Sequence, residues 1–245
     1  MHPTLKALQV YERLQQRGVK VSYQSVVTFT QRKRAKKDRC YLQMTFDAGE
    51  EAQVDWFIIM HPILGKLYGF ALVLSHSRFL FARIFPKSSF EFFIEGHVQA
   101  FDILGGITRA LRYDNLKSVV IKKYPLNYNA AFLEFAHYYG FEIRLCNVRA
   151  GNEKGRVERS IRSIRETFLN TAQHHSSLRA LNCALALWVH NKNNSLHRST
   201  GKLPNELKIQ EKLKPLPQTP WLNRTIHSPK IPTKTGMIHF DSNQL

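Results

Sequence analysis

Three carboxylates stand in three well-separated segments. Asp55 interrupts the apolar run Ala52-Gln53-Val54-Asp55-Trp56-Phe57, Asp114 closes Leu111-Arg112-Tyr113, and Glu158 follows Lys154-Gly155-Arg156-Val157. Each falls where a strand or helix of a mixed α/β core ends or begins. Oxygen ligands converging from a rigid scaffold are what two magnesium ions need, and two such ions roughly 3.5–4 Å apart support in-line displacement at a phosphodiester. Manganese is a substitute such a donor set accepts. Glu153, also acidic and close by, competes with Glu158 for the third place. The surrounding chain is strongly basic, with 36 Lys and Arg against 18 Asp and Glu and a formal net charge of +18. That excess selects a polyanionic partner, nucleic acid ahead of an anionic membrane surface.

Positioning the carboxylates requires a sheet. Residues 51–60 read as a strand with Ala52, Val54 and Trp56 on one face and Gln53, Asp55 and Phe57 on the other. Residues 67–74 (LYGFALVL) form a continuous apolar run, as a buried strand does, and residues 79–85 make a third strand ended by Pro86. Turns at 61–65 and 75–78 make the three an antiparallel meander. Residues 88–104 are helical, with Phe90, Phe93, Ile94, His97, Val98 and Phe101 on one side, and Gly105-Gly106 stop them. Residues 107–113 are a short strand delivering Asp114, and Asn115 after it suits a turn. A helix at 129–139, closed by Gly140, and a fifth strand at 141–146 follow. Strands first and then alternating helix and strand indicate a mixed five-stranded sheet flanked by helices.

From 152 to 170 the period is clearest: Val157, Ile161, Ile164 and Phe168 make one apolar seam. Lys154, Arg162 and Arg165 share the face of Glu158, and Arg156 and Arg159 lie beside it. Charge pairing along a surface helix explains such spacing; so does a ridge that grips phosphate beside a metal. A Leu/Ala-rich helix covers 177–193. Pro215, Pro217, Pro220, Pro229 and Pro232 mark a linker that cannot be helical, and 236–240 reads as a lone strand.

The N-terminal end reads as two helices. Leu5, Leu8, Tyr11 and Leu14 make one stripe, Gly18 closes it, and Ser22 caps a second helix with Val26, Val27 and Phe29 inward. Gln24, Thr28, Gln31 and Arg32 then face outward, as in a DNA-reading pair or an ordinary helical hairpin. Arg32, Lys33 and Arg34 open the basic run RKRAKKDR, suited to phosphate contacts. No stretch reaches the roughly 18 apolar residues of a membrane span. The three cysteines, Cys40, Cys146 and Cys183, form no CxxC pair and suit a reducing cytoplasm.

These segments resemble the catalytic core of the DDE recombinases, the retroviral-integrase superfamily with its ribonuclease-H-like fold, and within it the IstA-type insertion-sequence transposases. The matching pieces are GEEAQVDWF, LYGFALVLSHSR, FDILGGITRALRYDNLKSVV, FLEFAHYYGFEIRLC, KGRVERSIRSIRETF and HRSTGKLPNEL, all in family order. The resemblance implies that Asp55, Asp114 and Glu158 bind two Mg²⁺, Glu158 being preferred over Glu153 because it follows Gly155-x-Val157. It implies cutting of element ends and transfer of the 3′ strand to target DNA. It also implies terminal-repeat and target DNA as partners, a homo-oligomer on DNA, a helper ATPase encoded alongside, and a bacterial cytoplasmic or nucleoid location. The sequence departs from the family at His76, where relatives carry an aromatic before Ser-Arg, and at Asn147-Val148, where a proline is usual. The implied organisation is a helix-turn-helix-like DNA-binding remnant with basic linker at 1–37, an integrase catalytic core with helical extension at 44–210, and a Pro-rich linker with the start of a β-barrel at 211–245. By the same resemblance the chain is clipped at both ends, which leaves open an inactive DNA-binding remnant as the alternative to an active transposase.

Overall fold

Gly18 and Ser22 punctuate the start of the chain as expected. The computed structural model describes residues 7–33, 45–114, 118–122, 126–146, 154–219, 221, 239–240 and 243–244. These divide into two compact units, 1–43 and 44–245. In the first, α1 (Ala7–Gln16) ends in a turn at Gly18, and Ser22 Oγ accepts from the Ser25 N–H at 3.0 Å to cap α2 (Tyr23–Lys33). Val26 and Thr30 are the buried positions among the described side chains of α2. Phe29, expected inward, is exposed because the buried stripe runs through i and i+4. On α1 the half-buried stripe is Ala7, Val10, Tyr11 and Leu14, so Leu8 falls outside it.

In the second unit, β1 (Glu51–His61), β2 (Gly65–Leu74) and β3 (Leu80–Phe85) form the antiparallel meander. After α3 (Phe90–Leu104), β4 (Ala110–Tyr113) returns parallel to β1. A small hairpin that the sequence did not announce follows, β5 (Val120–Lys122) with β6 (Asn127–Tyr128). Then α4 (Ala130–Tyr139) leads to β7 (Glu142–Leu145), parallel to β4. The sheet order is β3-β2-β1-β4-β7, a mixed five-stranded sheet with helices on both faces. Gly105 and Gly140, at φ 71° and 67°, terminate α3 and α4 in the left-handed conformation.

Alternation along the strands feeds two cores. Ala52, Val54, Phe70 and Leu72 join the aromatic side chains of α3 and α4 on one face, including Phe93, Phe101, Phe132 and Phe135. Phe57, Ile59, Ala71 and Val73 face α5 (Gly155–Ser163), a π-helical turn (Ile164–Leu169) and α6 (Leu178–Asn193) on the other. Val157, Ile161, Ile164 and Phe168 are all buried, as their seam predicts. The helix nevertheless widens at Ile164, where Thr167 Oγ1 donates to the Ser163 carbonyl at 2.6 Å and Asn170 Nδ2 donates to that of Glu166 at 2.8 Å.

Edge strand β3 is closed by α6. Asn193 accepts from the Leu80 N–H and donates to its carbonyl at 2.9 and 2.8 Å, and Asn182 does the same to Ile84 at 2.9 Å each way. Two carboxamides thus stand in for a neighbouring strand. A short α7 (Pro204–Ile209) precedes the proline-rich segment. Where the sequence predicts a linker from 211 on, the described part lies on the core: Lys214 bridges Ile107, and Leu213, Leu216 and Trp221 pack on the first cluster. Their apolar surface outweighs the lost helical hydrogen bonds. The lone strand expected at 236–240 is a hairpin arm, β8 (His239–Phe240) against β9 (Asn243–Gln244). No helix among the described residues is long and apolar enough to cross a membrane.

Candidate active site

Parallel pairing sets Glu51 beside Ala110 and Gln53 beside Arg112, and the same offset carries Asp55 to Asp114. The ladder ends at Gln53–Arg112 and β4 at Tyr113, so the two carboxylates lie just beyond it, near enough for the Asp114 charge to act on Asp55. Burial pushes the Asp55 carboxyl above its ordinary value, the Asp114 charge adds to that, and Lys154 opposes both. Lys154 is turned inward, with Nζ 2.7 Å from Asp55 Oδ1 and only 5% of its side chain exposed.

Each strand is locked behind its carboxylate. The Tyr113 hydroxyl, one residue before Asp114, donates to His97 Nε2 at 2.8 Å, while His97 Nδ1 donates to the Phe93 carbonyl at 2.7 Å. Burial holds the His97 pKa down to about 3, which keeps the ring neutral and able to accept. Deeper in the sheet, Glu51 is fully buried. It accepts from Arg112 Nε and Nη2 at 3.0 and 2.9 Å and from Arg144 Nη1 at 3.3 Å, tying β1, β4 and β7 together.

Glu158 is different. It sits exposed in the first turn of α5, where a negative charge suits the helix dipole. That turn has no side-chain cap of its own. Gln53 supplies one from the sheet, its Oε1 accepting from the N–H groups of Arg156 and Val157 at 3.2 and 3.3 Å. Among the described residues, no three of His, Cys, Asp and Glu are gathered closely enough to hold a metal ion. The structure brings Asp55 and Asp114 together and leaves Glu158 outside that pair; Glu153 and Asn115 lie outside the described residues. Two mutually repelling carboxylates, one held by an ammonium group, are a hard-oxygen donor set that suits a divalent cation.

No protein-family model matches the chain. A protein named as a transposase for insertion sequence element IS5376, from Geobacillus stearothermophilus, is 33% identical over 177 residues, covering 69% of this chain and 44% of that one. The transposase for IS1326/IS1353 of Pseudomonas aeruginosa is 27% identical over 216 residues, 84% of this chain and 42% of that protein. The transposase for IS21, also of Pseudomonas aeruginosa, is 29% identical over 69% of this chain and 45% of that protein. Among solved structures, the HTLV-2 integrase catalytic core domain in complex with magnesium aligns with a TM-score of 0.51 at 18% identity, covering 67% of this chain and 99% of that one. A simian T-cell lymphotropic virus intasome in complex with PP2A regulatory subunit B56 gamma aligns with a TM-score of 0.54 at 12% identity, covering 89% and 79%. The chain is a relative of the insertion-sequence transposases with an integrase-core fold. It spans less than half the length of the curated relatives named above.

In this transposase relative the basic residues singled out from sequence fall into distinct settings. Arg159, Arg162 and Arg165 are exposed along α5 and the π-helical turn, with the Arg165 guanidinium 5.6 Å from the Phe57 ring centre. Arg156 is half-buried over the Phe46 ring at 4.4 Å. Lys154 points to Asp55 instead of standing on that ridge. Gln24 and Thr28 are exposed on α2, Thr28 Oγ1 donating to the Gln24 carbonyl at 3.0 Å. Arg32 and Lys33 continue α2 with side chains outside the description, and Arg34 lies outside the described residues. Gln53, Glu51 and Arg112 were missed as positioning residues. A buried polar residue at every second position before Asp55 was the available signal.

Proposed function

We propose that this chain is the catalytic core of a DDE-type DNA transposase, one that cuts the ends of a mobile element and joins the freed 3′-hydroxyl to target DNA. The observation that supports this reading is the parallel β1–β4 register, whose offset, continued past Gln53–Arg112, leads to Asp55 and Asp114, in a protein of net charge +18. Asp55 and Asp114 hold Mg²⁺, with Glu158 as the third ligand; the magnesium complex of the HTLV-2 core supports that choice of ion. When bound, the metal supplies Lewis-acid stabilisation of the phosphoryl oxygens and lowers the pKa of the attacking oxygen.

The chain's own side chains do the rest. Lys154 holds the Asp55 carboxylate in place, and Gln53 holds the helix turn that carries Glu158. Arg159, Arg162 and Arg165 position the phosphate backbone. Water displaces one phosphodiester oxygen and leaves a 3′-hydroxyl. That hydroxyl then attacks a target phosphorus, with the target's own 3′ oxygen as leaving group. Assembly of several copies on paired DNA ends belongs to this reading, supported by the intasome neighbour, as does a partner ATPase.

The test uses labelled duplex carrying the element's ends, with Mg²⁺ or Mn²⁺, resolved on denaturing gels. Nicking and joining by the wild type is expected. Asp55→Ala or Asp114→Ala should reduce both on the order of 10³-fold, the equivalent of several kcal/mol. The Lys154–Asp55 ion pair and the exposed Glu158 favour a second reading, a DNA-binding protein without chemistry. Salt-sensitive DNA binding with no nicking by the wild type would establish it.

A further inference from the structure

Arg78 is the one non-glycine residue with positive φ among the described residues, at 66°. An L side chain in that conformation is strained, and this one is also a half-buried cation among cations. Arg156 and Arg159 repel it, and burial with their charge holds its pKa down to about 10. Burial holds the His197 imidazole below its ordinary value, and the charges of Arg78, Lys192 and Arg159 add to that.

The packing explains why they converge. Asn193 clamps the end of α6 onto Leu80, two residues after Arg78 in the chain, and Lys192 precedes Asn193 on that helix end. In the β2–β3 turn His76 Nδ1 bonds the Phe46 carbonyl at 3.0 Å, and the Arg156 guanidinium lies over the Phe46 ring. Gln53 holds the backbone of Arg156 from the other side.

Two carboxylates act on the cluster, and both are otherwise engaged. Glu211 accepts from the backbone N–H groups of Ser77 and Gly49. Glu51 is shared by Arg112 and Arg144. The cluster therefore carries net positive charge on a strained support. Folding gains a local contact there, Arg78 Nη1 donating to the Ser75 carbonyl of its own turn, but the mutual repulsion of the cluster is relieved only by a bound polyanion.

We propose that Arg78, Arg156, Lys192 and His197, together with Arg159 at the start of the α5 ridge, form a phosphate clamp for the DNA backbone that extends the ridge of Arg162 and Arg165 towards the β2–β3 turn. Arg156 joins the clamp to β1: its backbone is held two residues from Asp55 there, and its side chain reaches the cluster. The clamp rests on the transposase reading only in that its ligand is DNA.

Arg78→Gly is the informative variant, because glycine accepts the left-handed backbone. Arg78→Gly and Lys192→Gln are titrated against fluorescent duplex DNA by anisotropy over a series of NaCl concentrations, with thermal melts alongside. Each is expected to weaken binding roughly tenfold and to make the slope of log affinity against log salt shallower by about one. Arg78→Gly is expected to melt no lower than wild type. Unchanged affinity and slope in both variants overturn the clamp, and so does a weaker binder that also melts lower and regains affinity when restabilised. Wild-type nicking read in parallel separates the two failures: nicking with an unchanged slope removes the clamp alone, and absence of any DNA binding removes both.

Discussion

Asp55 and Asp114 are set by neighbouring parallel strands, whereas Glu158 rides a helix whose first turn is tied to the sheet by Gln53 and Lys154. The first arrangement is rigid because many backbone bonds and a buried ion network share the work. The second depends on a few side-chain contacts and can shift without unfolding anything else. If the three carboxylates are the metal ligands proposed above, that asymmetry would hold two of them in place and leave the third on the less firmly tied element.

The largest effect is expected on the sheet side. Removing Glu51 takes the two-pronged acceptor from Arg112, whose side chain is 11% exposed, and leaves Arg144 with Glu50 and Glu142. Glu51→Ala should cost about 3–5 kcal/mol in urea unfolding. A cost below about 1 kcal/mol would show that the strands are held by their ladder alone.

At the junction of the two regions, Lys154→Met and Asp55→Asn should each cost roughly 2–3 kcal/mol, and the double variant clearly less than their sum, since it leaves no buried charge unpaired. Additive costs would mean the ion pair is not coupled. The pH dependence has a definite sign. The Asp55 pKa is raised above 3.8 in the folded protein, so its contribution to stability is fully present below that value and is lost as pH rises through the folded pKa. Lys154→Met removes the opposing ammonium and should carry that loss to higher pH; Asp55→Asn should abolish it. Melting temperature against pH reads both.

The two regions also differ in how far the sequence disclosed them. The strands and their faces were legible because period-two alternation and glycine stops are local signals. The Val157 seam was legible for the same reason. The tethers were not: Gln53 to Arg156, Asn193 to Leu80 and Glu211 to Gly49 join residues far apart in the chain, and no spacing rule announces them. Lys154 was read as part of a surface ridge because helical periodicity was extended one residue ahead of the first turn, to a cap position that bends inward. The apolar residues after 211 were discounted because their prolines forbid helix, although extended chain packs on a core equally well.

On the helix side, Gln53→Ala leaves two N–H groups of α5 without their acceptor and should cost about 1–3 kcal/mol. Its specific mark is kinetic. Nicking at saturating DNA should fall by more than DNA affinity does, because the residue sets the Glu158 turn and reaches the clamp only through the Arg156 backbone. Equal losses in binding and turnover would make Gln53 a general fold residue.

The smallest structural effect belongs to Glu158 itself. It is exposed and makes no ion pair among the described residues, so Glu158→Gln should change stability by no more than about 0.5 kcal/mol. If it is the third ligand, the same change removes nicking almost as completely as Asp55→Ala. Isothermal titration with Mn²⁺ then shows weaker or fewer bound ions without any change in melting temperature. Retained nicking in Glu158→Gln would pass the role to Glu153, and the tether from Gln53 would then serve the basic side chains of α5 in place of a metal ligand.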